Sequence, residues 1–260
     1  MKIIKENTAV FVVSHKEENV KIDIPGYYYI QAGADRGHIN GFDFYDDEGE
    51  NISSKNLNYC ELTAQYWMWK HLPPKTEYVG LNHYRRFFTQ PINIIRNEKV
   101  LTIIDINKIM REYDVILPLP TKWNHTVEEI FYDYGCGYKK DLELIREIIA
   151  EKHPRYVIAY DQICTQKQAS YFNMFIMRNN NFDLYCKWLF DILGTLETKL
   201  DISTYNKQEA RIYGYLSEIL LNVWIRKEKL SIKYCDVLYT ELPLKKQIRK
   251  SIATRLKRYT

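Results

Sequence analysis

The chain has 260 residues, 46% of them hydrophobic, and its 37 basic and 33 acidic side chains leave a net charge of +4. That much apolar material excludes a disordered chain and suffices for one sizeable core, while so mild a charge balance argues against a nucleic-acid partner. Cys60, Cys136, Cys164, Cys186 and Cys235 stand singly with no CxxC pair, which excludes a disulfide framework or a structural zinc site.

No run approaches the roughly 20 apolar residues of a membrane span. Met1–Glu6 leads straight into a short strand-like run with no signal peptide, so a cytoplasmic location is expected. Aromatic residues make up 14% of the chain, 22 of them tyrosines. An aromatic-rich core and a site that stacks against rings both fit that content.

Ala9–Val13 is a continuous apolar run of strand length, as a central parallel strand buried on both faces requires, and it ends in the polar turn Ser14, His15, Lys16. Tyr27–Ile30 reads as a second strand ending in Gln31, Ala32 and Gly33. Residues 35–56 are polar and rich in acids, among them Asp43, Asp46, Asp47, Glu48 and Glu50, and read as a long functional or flexible loop whose acids sit in a solvated turn. A helix is expected over Leu57–His71, with Asn58 and Glu61 spaced as a capping box at its start. Tyr66, Trp67 and Trp69 on that helix read mostly as core.

Glu77–Leu81 is a third strand, followed by the polar group Asn82, His83, Tyr84, Arg85, Arg86. Asp105–Arg111 reads as helix, and Asp114–Leu117 as a fourth strand stopped by Pro118 and Pro120. Helices are expected over Val127–Tyr134, Leu142–Lys152 and Val157–Gln168, a fifth strand over Asn173–Met177, and two longer helices over Phe182–Lys199 and Gln208–Arg226. Strands alternating with helices predict an α/β domain with a mostly parallel central sheet flanked by helices. Ligands of such sheets bind outside the carboxyl ends of the strands.

Ser14–Lys16, Gln31–Gly33 and Asn82–Arg86 should therefore meet at one edge. Two adjacent arginines after a buried strand suit the oxygens of a phosphate; a pair of surface ion pairs is the alternative. His83 is open to phosphate, metal or plain packing. Residues 242–260 carry seven cations and no acid, with Leu244, Ile248, Ile252 and Leu256 four apart. Such a basic amphipathic helix can lie on an anionic membrane or remain a solvated terminal helix. The domain proper thus spans 1–241 and the tail 242–260.

The stretches NISSKN at 51–56, YCELTAQYWMWK at 59–70, YVGLNHYRRFF at 78–88, NMFIM at 173–177 and RIYGYLSE at 211–218 together resemble a bacterial family. That family is found in capsule and exopolysaccharide gene clusters and was long labelled a domain of unknown function. The likeness runs from about Val10 to Trp224. It implies a single-domain GT-A glycosyltransferase with β-galactofuranosyltransferase-like, inverting chemistry. The donor implied is a UDP-sugar, with UDP-galactofuranose favoured over UDP-galactopyranose or another hexose, and the acceptor a saccharide, lipid-linked at the inner face of the plasma membrane. A non-catalytic saccharide-binding or assembly protein is the reading from another class.

On this footing Ser14, His15, Lys16, Gln31, Ala32, Gly33, Asn56, Asn82, His83, Tyr84, Arg85 and Arg86 are candidates for the donor site, and Asn173 and Met174 for the acceptor site. An inverting transfer needs a carboxylate to take the acceptor proton. Glu218 ranks first, Asp161 second and Glu209 third. No Asp-x-Asp follows the third strand, so no cofactor is expected. A divalent ion held by His83 with an acid of residues 43–50 is the fallback.

Overall fold

The computed structural model describes residues 4, 6–17, 22–89 and 100–242, so the expected basic helix lies, but for Leu242, outside the described residues. The strands are β1 (Thr8–Ser14), β2 (Tyr27–Gln31), β3 (Phe44–Tyr45), β4 (Tyr78–His83), β5 (Arg86–Thr89), β6 (Val115–Pro118), β7 (Thr121–Lys122), β8 (Gln168–Ala169), β9 (Phe175–Arg178) and β10 (Ile232–Tyr239). The helices are α1 (Asn56–Tyr59), α2 (Leu62–His71), α3 (Ile103–Met110), α4 (Val127–Asp133), α5 (Lys139–Lys152), α6 (Val157–Thr165), α7 (Asn179–Lys199) and α8 (Ile212–Glu228).

Eight strands join in one sheet, and β7 pairs with β8 apart from it. Pairing is parallel between β1 and β2, β1 and β4, β2 and β3, and β6 and β10. It is antiparallel between β4 and β5, β4 and β9, β6 and β9, and β5 and β10. The expected mostly parallel sheet is thus corrected to a mixed one. The cause is β5 and β9, which run against the strands they pair with, while β10 runs parallel to β6; of β5, β9 and β10 the sequence reading foresaw only β9. Together β4, β5, β10, β6 and β9 close a circuit of pairings.

Alternation sends β1 into two cores. Ala9, Phe11 and Val13 face the cluster that holds the helices. Val10 and Val12 face a second cluster with Tyr27, Tyr29, Phe87, Phe88, Met110 and Ile176. A strand buried on both faces reads as an unbroken apolar run, which is what made β1 visible in the sequence.

The expected helix over Leu57–His71 is two helices. Cys60 at φ 53° breaks the chain between α1 and α2. The expected capping box is absent there: Asn58 donates to the Ala210 carbonyl, and the Glu61 carboxylate faces Asn173. Capping boxes do form at Thr102 with Asp105 and at Thr126 with Glu129. Residues 35–56 are also more ordered than a solvated loop. Asp46 is fully buried and accepts the amides of Gly33 and Ala34, both at 2.9 Å, and the Ser53 hydroxyl.

The parallel register aligns Ser14 with Gln31 and Val13 with His83, so the polar ends of β1, β2 and β4 share one edge. Because β9 runs the other way, Leu81 opposite Phe175, the chain just before β9 reaches that same edge. Among the described residues no helix is long and apolar enough to cross a membrane.

Candidate active site

The segment entering β9 is bent at two consecutive non-glycine residues, Phe172 at φ 79° and Asn173 at φ 50°. Such conformations cost energy and persist only where surroundings enforce them. Three elements do so. The Phe172 amide donates to Glu218 of α8 at 2.9 Å. The Phe172 carbonyl accepts from His83 Nε2 of β4 at 2.5 Å, which fixes the proton on that nitrogen. The Asn173 amide group donates to Glu61 at 2.6 Å and to the Gly214 carbonyl at 3.0 Å. Arg86 lies over the Phe172 ring, 4.3 Å from its centroid, with its Nε buried and unpartnered.

Two carboxyls therefore flank one bend. Burial pushes Glu218 up to about 8, the neighbouring Glu61 adds to this, and the Phe172 amide, Arg86 and Arg211 oppose it. Burial also lowers the His83 imidazole, so it is neutral near pH 7. Glu218 then holds a proton at neutral pH and can exchange it there.

Cations gather beside this pair. The His15 imidazole is lowered by burial, then by Lys16, Arg85, Arg211 and Arg36, four cations from four parts of the chain. Tyr84 forms their floor: His15 meets its ring edge-on at 5.7 Å, Lys16 lies 5.1 Å and Arg85 4.5 Å from its centroid. Arg36 is fixed by donating to Asn56 Oδ1 at 2.6 Å, and Arg211 by Cys60 Sγ at 3.2 Å. Gly214 makes room for that contact, since a Cβ there would meet Cys60 Sγ at 3.2 Å. Arg211 acts on both His15 and Glu218, which ties the cations to the carboxyl pair.

The other expected residues fall out as follows. Gln31 is buried and holds the Gly37 carbonyl and Ile39 amide. The Ala32 amide donates to the Ser14 carbonyl, and the Gly33 amide is taken by Asp46. Asn56 also donates to the Cys60 carbonyl and Thr63. Ser14 is buried, its hydroxyl donating to the Lys16 carbonyl. Asn82 is fully buried with both amide atoms unpartnered. These residues shape the edge rather than line its surface.

Arg85 forms a two-pronged ion pair with Glu241 at 2.7 and 2.8 Å, so its charge is already partly spent. Met174 is wholly buried in the second core and has no surface to offer an acceptor. Asp161 is held by Arg146 at 2.7 and 2.8 Å on the α5–α6 surface. Glu209 is half-buried and accepts from Tyr138 and the Asn206 amide. Neither carboxylate joins the Glu61–Glu218 pair. Glu61, Arg36 and Arg211 are the members that sequence reading missed. For Arg211 a signal was present, since it opens RIYGYLSE.

A divalent ion does not fit the donors present. Asp43 accepts the Tyr29 amide, Asp46 is clasped as described, and Asp47 pairs with His38. His83 faces a carbonyl. Among the described residues no three His, Cys, Asp or Glu side chains gather in a metal-binding group.

Residues 9–229 match the family described as Domain of unknown function (DUF4422), and the chain belongs to that family. No curated protein matches the sequence. Among solved structures it is similar to the apo form of WbbM, a bifunctional glycosyltransferase, at 27% identity and a TM-score of 0.79. The match covers 91% of this chain and 46% of that one, so the chain spans about half of WbbM's length. A core-mannan synthase from Aspergillus fumigatus, in its Mn/GDP form, is 8% identical with a TM-score of 0.41 over 90% of this chain and 75% of that one. That likeness is too distant to carry an argument.

Proposed function

We propose that this member of the DUF4422 family is a glycosyltransferase that moves a sugar from a nucleotide diphosphate to a saccharide hydroxyl. The observation that carries the reading is Glu218, a carboxyl with proton affinity near 8 beside a ring of cations at the carboxyl edge of a parallel β1–β2–β4 unit. The similarity to WbbM supports the same class of reaction.

In this reading Lys16, Arg36 and Arg211, with His15 and part of Arg85, hold the diphosphate and stabilise it as it leaves. The ionised Glu218 takes the acceptor hydroxyl's proton. The oxygen then attacks the anomeric carbon, and the bond to the phosphate oxygen breaks with its electron pair going to the leaving nucleotide. Attack opposite the leaving group inverts the configuration. Glu61 and His83 keep the Phe172–Asn173 bend, and through it Glu218, in register. The sugar is best taken as galactofuranose from its UDP form, with galactopyranose or another hexose as alternatives. The acceptor is taken as a lipid-linked saccharide in capsule, exopolysaccharide or O-antigen synthesis, reached from the cytoplasmic face through the tail 242–260.

The test is nucleotide release with a panel of UDP-sugars and a simple saccharide acceptor. Wild type should release UDP with at least one donor, and it should do so in EDTA, because side chains supply the cations. Glu218→Gln should bind donor normally and lose about 100-fold or more in transfer, the usual worth of a general base. UDP release from no donor, or wild-type transfer by a folded Glu218→Gln, would overturn the reading.

A further inference from the structure

Three aromatic rings stand beside Glu218 without a part in the chemistry above. Trp123 follows β7, Tyr134 caps the end of α4, and Tyr171 opens the bend into β9. Trp123 lies 5.4 Å from Tyr134 at 58° and 6.5 Å from Tyr171 at 81°. Tyr134 is 55% exposed, although a ring of that size ordinarily seeks cover. Its backbone is pinned: Gln208 donates to the Tyr134 carbonyl at 2.7 Å, and Gly135 follows at φ 63°.

The cluster adjoins the candidate base through Tyr171. Tyr171 precedes Phe172, whose amide Glu218 accepts. Its phenol is pushed up to about 12, by burial first and by Glu218 next, with Cys136 and Tyr134 also contributing. The Trp123 indole N–H and the Tyr171 hydroxyl are both buried and face each other, the indole N–H turned towards the phenol oxygen. That pair closes the inner wall of the cluster, and the exposed Tyr134 ring is the face it leaves open to a guest.

We propose that Trp123, Tyr134 and Tyr171 form the subsite on which the acceptor saccharide stacks, with one hydroxyl turned towards Glu218. A sugar ring offers a face of weakly positive C–H groups to the electron-rich face of an aromatic ring. Its rim of hydroxyls can meet the phenol of the exposed Tyr134. Few rings with a few placed polar groups are the usual composition of a small-ligand site. A nucleobase would stack as well, but its diphosphate needs the cations, which gather around His15 and Tyr84 instead. The proposal rests on the transferase reading for the sugar's role, though the binding can be tested without it.

Methyl glycosides of galactose, glucose and mannose are titrated calorimetrically against wild type, Trp123→Ala, Trp123→Phe and Tyr134→Ala, each checked by its melting curve. Wild type should bind at least one glycoside, the alanine variants should lose about tenfold in affinity, and Trp123→Phe should keep most of it. In the transfer assay the acceptor KM should rise by a like factor while the donor KM moves less than about twofold. Should Trp123→Ala fail to fold, Tyr134→Ala and Trp123→Phe carry the test. Binding by no glycoside, or equal binding by wild type and the folded variants, would overturn the platform. Absence of UDP release in wild type would overturn the transferase reading alone.

Discussion

Glu61 and Glu218 share one bend, Glu61 at the Asn173 side chain and Glu218 at the Phe172 amide, and burial pushes Glu218 to a high proton affinity. Glu61 accepts a hydrogen bond from Asn173 and adds its charge to the field on Glu218. A like charge nearby makes ionisation harder, so removing it must lower the affinity of Glu218. A base works only when ionised, so rate falls as pH drops through that affinity. We expect Glu61→Gln, which keeps an acceptor oxygen for Asn173, to move the acid limb of the kcat/KM profile from near pH 8 to lower pH by about one unit, a typical effect of a nearby charge. A limb that stays in place while activity drops would mean that Glu61 acts only on structure. Glu61 was not legible in sequence, because three residues after Asn58 it fits a capping box and its partner lies 112 positions away. Glu218 was legible only through RIYGYLSE, since its burial and its neighbours come from the fold.

At the scale of elements, the junction of β4 with β9 decides whether the bend reaches the site. Gly80 sits opposite both Val10 and Ile176, and its lack of a side chain is what allows the three strands to close. A Cβ there would lie 2.8 Å from Ile176 Cγ1 and 3.3 Å from the Phe175 carbonyl. Gly80→Ala should therefore destabilise by about 1–3 kcal/mol through overpacking, read from chemical denaturation. Ile176→Ala, which removes the crowding Cγ1, should cost less in the Gly80→Ala chain than in wild type if side-chain crowding is the cause. Equal costs in the two chains would assign the loss to the backbone contact instead. Continuous apolar runs made β1, β2, β4 and β6 visible in the sequence. By contrast β10 is only partly buried, with Cys235 and Asp236 its buried residues, and its mixed composition gave no period to read. β5 was hidden inside the polar stretch after β4, where Arg86 opens the strand and Phe87 to Thr89 fill the second core and its edge.

For the whole molecule, the sign of the charge depends on the tail. Residues 243–260 contain seven cations and no acid. Removing them from a chain of net charge +4 leaves −3, so the rest of the chain is on balance repelled by an anionic surface. Any attraction to an anionic bilayer must then come from the tail, at about 1 kcal/mol per cation near the surface. Apolar residues at 244, 248, 252 and 256 would add burial in the interface if that segment forms a helix there. Electrostatic docking of this kind fades as salt shortens the Debye length from about 10 Å at 0.1 M to about 3 Å at 1 M. We expect full-length protein to sediment with phosphatidylserine-containing vesicles at low salt and to be released at high salt. A chain ending at Leu242 should stay in the supernatant under both conditions and keep transfer to a soluble acceptor within about twofold, because no described site residue lies beyond that point. Equal sedimentation of the two chains would assign membrane contact to the body and leave the tail without that role. Loss of soluble-acceptor transfer on truncation would show instead that the tail completes the catalytic domain.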